Sequence, residues 1–132
     1  MLHKNPLIIS AHTFQLIQQL QRLPELSGFY LVGGTALALQ LGHRNSIDID
    51  LFTQNNFTAI EINEALKGKH DFTVTVSKNN TVLGVVDQVK TDFIKHDYPF
   101  ILAPISGEGI TYLSEEDIAA MKFHAIIQSG KD

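Results

Sequence analysis

The sequence predicts a single α+β domain in which helices pack on a β-sheet. Three observations lead to this fold class: 44% of the 132 residues are apolar, apolar residues recur at helical spacing near both ends of the chain, and β-rich runs fill its middle. A chain of this length buries about two-thirds of the surface that its unfolded form exposes. We therefore expect residues 1–132 to form one domain with a hydrophobic core of its own.

The composition excludes several classes of protein. The chain has no Cys, which excludes disulfides, thiolate zinc sites and thiol nucleophiles. Its formal charge of −4 at pH 7 supplies no general attraction for a polyanion, so any contact with nucleic acid has to be local. No signal peptide is visible, and no apolar run reaches the length of about 20 residues that a membrane span needs. We expect a cytoplasmic protein.

The N-terminal third of the chain predicts a helix, a strand and a second helix. Ser10 is a typical N-cap for a helix whose apolar residues recur at helical spacing and which Pro24 ends. Residues 29–32 are aromatic or β-branched and predict a short strand. After a tight turn, residues 35–41 are rich in Ala and Leu and predict a helix that a glycine closes.

The rest of the chain predicts four more strands and two more helices. Helical spacing predicts a helix over residues 57–67, and Ser114 with the acidic run after it predicts a last helix over residues 114–128. Residues 98–111 hold two prolines and two glycines and predict an irregular connection. The last three strands are expected to be consecutive and antiparallel. The predicted strands are residues 47–52, 72–77, 81–86 and 89–94.

Two carboxylates alternate with apolar residues in the strand predicted over residues 47–52. Because successive side chains of a strand point to opposite faces, Asp48 and Asp50 would leave one face while their apolar neighbours leave the other. Their Cα atoms would lie about 6.5 to 7 Å apart, which lets both carboxylates reach a shared cation. Hard divalent ions such as Mg²⁺ prefer oxygen ligands. Taken alone, the pattern is more typical of a solvated strand face.

The turn before the second helix contains Gly33, Gly34 and Thr35. Two successive residues without a Cβ let a ligand approach the backbone closely, and the first N–H groups of the helix and the Thr35 hydroxyl would face an anion such as phosphate. Glycine pairs are also common in ordinary strand-to-helix turns. The third glycine of a dinucleotide-binding turn is missing here, and no P-loop occurs in the chain.

Three blocks of sequence, in this order, resemble one family. Residues 31–39 read LVGGTALAL, residues 44–52 read RNSIDIDLF and residues 117–125 read DIAAMKFHA. With the later Asp92, they resemble the nucleotidyltransferase superfamily of DNA polymerase β. The fuller strings are similar to the AbiEii toxin family of bacterial abortive-infection and toxin–antitoxin systems, and the similarity runs from about residue 29 to the end of the chain.

The resemblance implies a mixed sheet flanked by helices, the core of a polymerase β-like nucleotidyltransferase. It implies transfer of a nucleoside monophosphate from a nucleoside triphosphate to an RNA acceptor, such as a tRNA end, or to a protein. Two Mg²⁺ ions, or Mn²⁺, would be held by Asp48, Asp50 and Asp92. Phosphates would lie at Gly33, Gly34 and Thr35. A cognate antitoxin is an implied partner.

Asp87 is an alternative to Asp92 as the third carboxylate. By the family's pattern, this acid binds the ion that activates the attacking hydroxyl and has some base character. Strand alternation places Asp92 in mid-strand, whereas Asp87 falls near a turn, so Asp92 is preferred. Either acid could instead be solvated.

Further residues outside the acidic strand are candidates for contact with the substrate. Arg44 and Ser46 match the family's Arg-x-Ser-x-Asp-x-Asp pattern, and Arg44 could bind a triphosphate through paired donors or could be an exposed loop residue. Lys122 lies four residues before Ile126 on the inward face predicted for the last helix. We expect it to reach the phosphates as a catalytic group; the alternative is a lysine whose stem packs on the apolar face while its charge stays in water. None of the six His residues has metal-ligand spacing, and only His43 is expected near substrate.

Two alternative functions compete with this interpretation. Asp48 and Asp50 could form the nucleophile motif of a haloacid-dehalogenase-type phosphatase, but Phe52 stands where that motif has Thr or Val. A nucleotidyltransferase fold without catalytic activity, used as a binding module, is the alternative outside the enzymes. Proteins of the family usually continue with helices beyond a similar Lys-Asp. The resemblance therefore implies that a C-terminal helical extension is missing after Lys131 and Asp132, which leaves acceptor binding open.

Overall fold

A computed structural model describes residues 2–129, with side chains up to Phe123. The sequence-based interpretations of His124, Ile126, Lys131 and Asp132 lie outside the described side chains. The described helices are α1 Ala11–Arg22, α2 Gly33–Leu41, α3 Ala59–Leu66 and α4 Glu115–Ser129, with a 3₁₀ turn at Pro24–Leu26. The described strands are β1 Tyr30–Val32, β2 Ile49–Thr53, β3 Phe72–Lys78, β4 Thr81–Val86, β5 Val89–Lys95, β6 Ile105–Gly107 and β7 Ile110–Tyr112.

The strands form one mixed sheet in the order β3-β4-β5-β2-β1-β7-β6. The central strand β2 runs parallel to β5 and antiparallel to β1, and β1 runs parallel to β7. In this register Asp50 on β2 stands between Val32, at the end of β1, and Asp92, in the middle of β5. The mixed sheet flanked by helices is therefore confirmed, and it brings an acid of β2 next to an acid of β5.

The residues predicted to begin and end helices α1 and α2 do so in the structure. The Ser10 hydroxyl accepts a hydrogen bond from the Thr13 N–H at 3.0 Å, which caps α1, and Pro24 follows the end of that helix. Helix α2 ends at Gly42, whose φ of 64° lies in the left-handed region that glycine adopts most readily. The predicted helices and the predicted antiparallel order of β3, β4 and β5 are confirmed.

Aromatic rings fill one face of the sheet. The Phe29 ring centroid lies 5.1 Å from that of Phe57 and 5.9 Å from that of Phe93, and Phe72 contacts Phe93 at 6.3 Å. Because neighbouring residues of a strand point to opposite faces, burial of Phe93 turns Asp92 to the other face of the sheet. The core therefore fixes the direction of a candidate site residue.

Two sequence-based boundaries are wrong. Residues 98–111 are not wholly irregular, because β6 and β7 form a hairpin whose turn has positive φ at Glu108 and Gly109. Its strands are three residues long and lie among prolines and glycines, so periodicity could not reveal them. Strand β2 begins at Ile49, which leaves Asp48 in the preceding loop.

Candidate active site

The site is centred on the first turn of α2, which follows β1 without a connecting loop. A Cβ at Gly33 would collide with the Asp50 carboxylate, and a Cβ at Gly34 would collide with the Arg44 guanidinium. Gly33 also has a φ of 73°, which disfavours any residue with a side chain. The first N–H groups of a helix have no partner within the helix, so this corner presents donors to an anion.

Asp50 and Asp92 form the acid pair of the site. They are neighbours across the parallel strands β2 and β5. Burial, followed by the charge of Asp92, raises the pKa of Asp50 from 3.8 to about 6, against an opposite effect of Lys90 and with a further rise from Asp48. The Asp92 side chain is 14% exposed, and its Oδ1 is buried without a hydrogen-bond partner among the described residues. The pair is thus rich in negative charge and short of donors.

Asp48 lies beside this pair, in the loop before β2. It lines a cavity of about 200 Å³ together with Asp50, Arg44 and Ser46. The Thr35 hydroxyl donates to the Asp48 carbonyl oxygen and is also hydrogen-bonded to the Ser46 hydroxyl. Thr35 is buried, so its side chain holds the loop. Thr35 also lines this cavity, and its expected contact with a phosphate stays a prediction.

The three acids are brought together as two overlapping pairs. Asp50 and Asp92 line one cavity of about 190 Å³, and Asp48 shares the other cavity with Asp50. Among the described residues, no three Asp, Glu or His side chains are grouped closely enough to hold a metal ion. The acid pair nevertheless fits Mg²⁺, because this ion commonly uses one or two carboxylates and completes its shell with water and substrate phosphates.

A larger cavity of about 550 Å³ adjoins the glycine corner. Its lining includes Gly33, Gly34 and Arg44, together with Met121 and Lys122 of α4. The structure therefore places both predicted cations, Arg44 and Lys122, around one opening. His43, the one histidine expected near substrate, lines the same cavity.

Asp87 has a structural role elsewhere. It lies in the turn between β4 and β5 with a φ of 47°, and its carboxylate is hydrogen-bonded to His70 Nδ1 at 2.6 Å and to the Asp71 N–H at 2.9 Å. Burial raises its pKa, but the hydrogen bonds from His70 and Asp71 outweigh that effect and hold the pKa below its usual value. The structure places Asp92, not Asp87, beside Asp50.

Sequence reasoning missed three residues near the site. Lys90 forms an ion pair with Asp92, at 3.3 Å between Nζ and Oδ2; the alternation of β5 could have revealed it, since Lys90 and Asp92 are two residues apart. His96 lines both the large cavity and the cavity of the acid pair, and no sequence signal marks it. Asp117 caps α4 together with Ser114, a pairing that their spacing could have suggested.

Asp117 also fastens the loop after β5 to α4. Its buried carboxylate accepts hydrogen bonds from the N–H groups of Ile101 and Leu102 and from the hydroxyls of Tyr98 and Ser114. Burial raises the pKa of Asp117, but these hydrogen bonds outweigh it and hold the pKa below its usual value. The wall of the large cavity is therefore anchored through one carboxylate.

The chain is similar to known proteins over most of its length. The model of one protein family, described as "Nucleotidyl transferase AbiEii toxin, Type IV TA system", matches residues 15–132. The uncharacterized protein aq_aa25 of Aquifex aeolicus (strain VF5) is 31% identical over 120 residues, which cover 88% of this chain and 58% of that protein. The chain thus spans little more than half the length of that relative. No solved structure matches the chain. Within residues 2–129, no helix is both long enough and apolar enough to cross a membrane.

Proposed function

The chain belongs to the AbiEii family of nucleotidyltransferase toxins of type IV toxin–antitoxin systems, and on this premise we propose that it transfers a nucleoside monophosphate from a nucleoside triphosphate to an RNA or protein acceptor. One observation carries the proposal: Asp50 contacts the glycine corner at the start of α2 and has Asp92 as its neighbour on β5. An acceptor oxygen forms a bond to the α-phosphorus, the bond from that phosphorus to the bridging oxygen breaks, and pyrophosphate leaves with the electron pair.

The triphosphate is proposed to bind at the glycine corner. The N–H groups of the first turn of α2 have no partner within the helix and favour phosphate oxygens, and the positive end of the helix dipole adds to this preference. Arg44 contacts Gly34 and can bind two phosphate oxygens at once. Lys122 lines the large cavity and adds a second positive charge. Ser46 is held by Thr35 and keeps the Arg44 loop in place.

The nucleoside is proposed to occupy the large cavity. Its volume of about 550 Å³ is within the range of ligand pockets, roughly 300 to 1,000 Å³. Val32, Leu37, Ile118 and Met121 provide an apolar lining suited to a base and a ribose. Because this cavity shares Gly33 and Gly34 with the phosphate site, one nucleotide can span both.

Asp50 and Asp92 are proposed to hold Mg²⁺ or Mn²⁺, with Asp48 completing the site from its adjoining cavity. The ions would offset the charge of the phosphates and of the leaving pyrophosphate and lower the pKa of the acceptor hydroxyl. Asp92 orients that hydroxyl and accepts its proton. The buried Asp92 Oδ1, which has no hydrogen-bond partner among the described residues, supports a ligand at this position.

Partners of the chain follow from the family. A type IV toxin–antitoxin system pairs a toxin with an antitoxin, so we include a cognate antitoxin in the proposal. The acceptor is the second partner. Since the net charge is −4, an RNA acceptor would depend on local cations such as Arg44 and Lys122 rather than on a general positive field.

The test is transfer of a labelled nucleotide. Each of the four triphosphates, labelled at the α-phosphate, is incubated with Mg²⁺ and the full chain in the presence of total RNA or of a protein extract. We expect label on one acceptor class, and loss of that label in the double variant Asp50→Asn/Asp92→Asn. Asp97→Asn is the matched control, because the Asp97 side chain is 84% exposed and pairs with Lys95 outside the site.

Two outcomes would contradict the proposal. Label transfer that persists in the double variant would show that the acid pair is not the catalytic centre. Triphosphate binding that is retained in the wild type without transfer to either acceptor class, under conditions where a longer relative is active, would favour the binding module instead.

A further inference from the structure

Lys90 forms an ion pair with one member of the acid pair, Asp92. Its Nζ lies 3.3 Å from Asp92 Oδ2. The Lys90 side chain is 60% exposed, whereas that of Asp92 is 14% exposed, so the ammonium group reaches from solvent onto a mostly buried carboxylate. Asp92 Oδ1 is the buried oxygen. Lys90 therefore holds the other oxygen of the same carboxylate.

The strand geometry extends this contact to the other acids. Lys90 and Asp92 are two residues apart on β5, so their side chains leave the same face of the sheet. The pairing of Ile49 with Thr91 brings Asp48, one residue earlier, to the level of Lys90. Lys90 interacts electrostatically with Asp48 and Asp50 as well as with Asp92. The ammonium group thus contacts Asp92 and adds a positive charge in the neighbourhood of Asp48 and Asp50.

We infer that Lys90 is a built-in counter-ion, which occupies Asp92 in the metal-free protein and which a divalent cation displaces when it binds. The inference rests on the proposed function, because it concerns the carboxylates proposed to bind Mg²⁺. Like charges in the acid pair repel each other unless a positive charge lies near them. Lys90 supplies that charge without substrate, and it competes with Mg²⁺ for the same oxygen. Lys90 is accordingly a positioning residue that sets the affinity for the cation.

The test is calorimetric titration of Mg²⁺ into the full chain and its variants. Lys90→Met should bind Mg²⁺ roughly threefold to tenfold more tightly than the wild type, since a competing ion pair has been removed. Lys90→Arg should keep the wild-type affinity within about twofold, because it retains the charge. Lys95→Met is the matched control. Lys95 lies five residues along β5 and pairs with Asp97 at 3.2 Å, so it is about 16 Å away and screened at physiological salt.

Displacement itself is followed by nuclear magnetic resonance with ¹⁵N-labelled lysine. The Lys90 Nζ signal should shift during the Mg²⁺ titration with the same midpoint as the calorimetric binding, and the Lys95 signal should not. Equal Mg²⁺ affinities of Lys90→Met and the wild type, or an unmoved Lys90 signal, would overturn this inference alone. A wild-type chain that binds no Mg²⁺ would overturn the proposed metal site as well, which separates the two failures.

Discussion

Replacement of Asp50 by Asn is expected to stabilise the metal-free protein while it abolishes nucleotidyl transfer. Burial, followed by the charge of Asp92, raises the pKa of Asp50 from 3.8 to about 6. The folded state therefore holds a proton on Asp50 more tightly than the unfolded state does. The contribution of Asp50 to the free energy of unfolding is therefore most favourable at low pH, where the acid is protonated. This contribution is lost as the pH rises through about 6 and Asp50 ionises in the folded state.

The size of the effect follows from the same pKa values. A rise from 3.8 to about 6 corresponds to a loss of about 3 kcal/mol in the free energy of unfolding once Asp50 is ionised. Asn removes the charge, but its amide still loses solvation at this partly buried position. The protonated carboxyl of the wild type loses a similar amount of solvation. We therefore expect Asp50→Asn to be more stable than the wild type by about 2 to 3 kcal/mol above pH 7, and to differ from it by less than about 1 kcal/mol near pH 4.

Urea unfolding at both pH values, in the presence of a chelator, measures this difference. Asp97→Asn removes an equal charge from an 84% exposed side chain and should change stability by less than about 0.5 kcal/mol. An Asp50→Asn protein that is less stable than the wild type above pH 7 would refute the reasoning, because it would mean that the ionised carboxylate has stabilising partners in the folded state.

Two further substitutions test the glycine corner and the loop that Asp117 fastens to α4. Gly33→Ala should reduce transfer at least about tenfold and lower stability by roughly 1 to 3 kcal/mol, because the new Cβ adopts a positive φ and displaces the Asp50 carboxylate. Gly68→Ala is the matched control, because Gly68 has a similar φ of 76° and an added Cβ there would have nothing within 4 Å. This control variant should show the backbone strain alone and keep transfer. An equal loss of activity in both variants would mean that the contact with Asp50 is not the cause. Asp117→Asn should lower stability by about 2 kcal/mol near neutral pH, because a charged acceptor of four hydrogen bonds is lost. The pKa of Asp117 is below its usual value, so this difference in stability should be present above pH 3.8 and disappear as the pH falls further. Acid unfolding of the variant, of the wild type and of the exposed control Glu116→Gln would measure it.

Much of the fold could be predicted because the signals are local. Ser10 and Gly42 mark helix ends through the hydrogen bonding and the backbone conformation of single residues. The alternation of residues 89–94 likewise placed Asp92 in mid-strand and set it apart from Asp87, whose position at a turn the structure bears out. Strand period and turn chemistry need no knowledge of the partner strand.

The composition of the site could not be predicted fully, because it depends on register. That Asp50 faces Asp92 follows from the parallel pairing of β2 with β5, and no residue pattern announces which strands are neighbours across a long crossover. The hydrogen bond from Thr35 to the loop before β2 could not be predicted for the same reason. The Thr35 hydroxyl donates to the Asp48 carbonyl oxygen, which is a tertiary contact. His96 reaches the cavity for the same reason.

The charges around the acid pair suggest an order of binding. Three carboxylates carry −3, and the paired ammonium of Lys90 adds +1, which leaves −2 on these four side chains. One divalent ion would leave these groups at −1 once it displaces Lys90, or at 0 if Lys90 stayed. Two ions would leave them at +1, or at +2 if Lys90 stayed. A second ion therefore needs further negative charge close by, and the triphosphate is the group that supplies it. Arg44 is held against Gly34, where it would repel a free cation but attract one that arrives already bound to phosphate. The proposed site is thus arranged to take its first ion alone and its second together with the nucleotide.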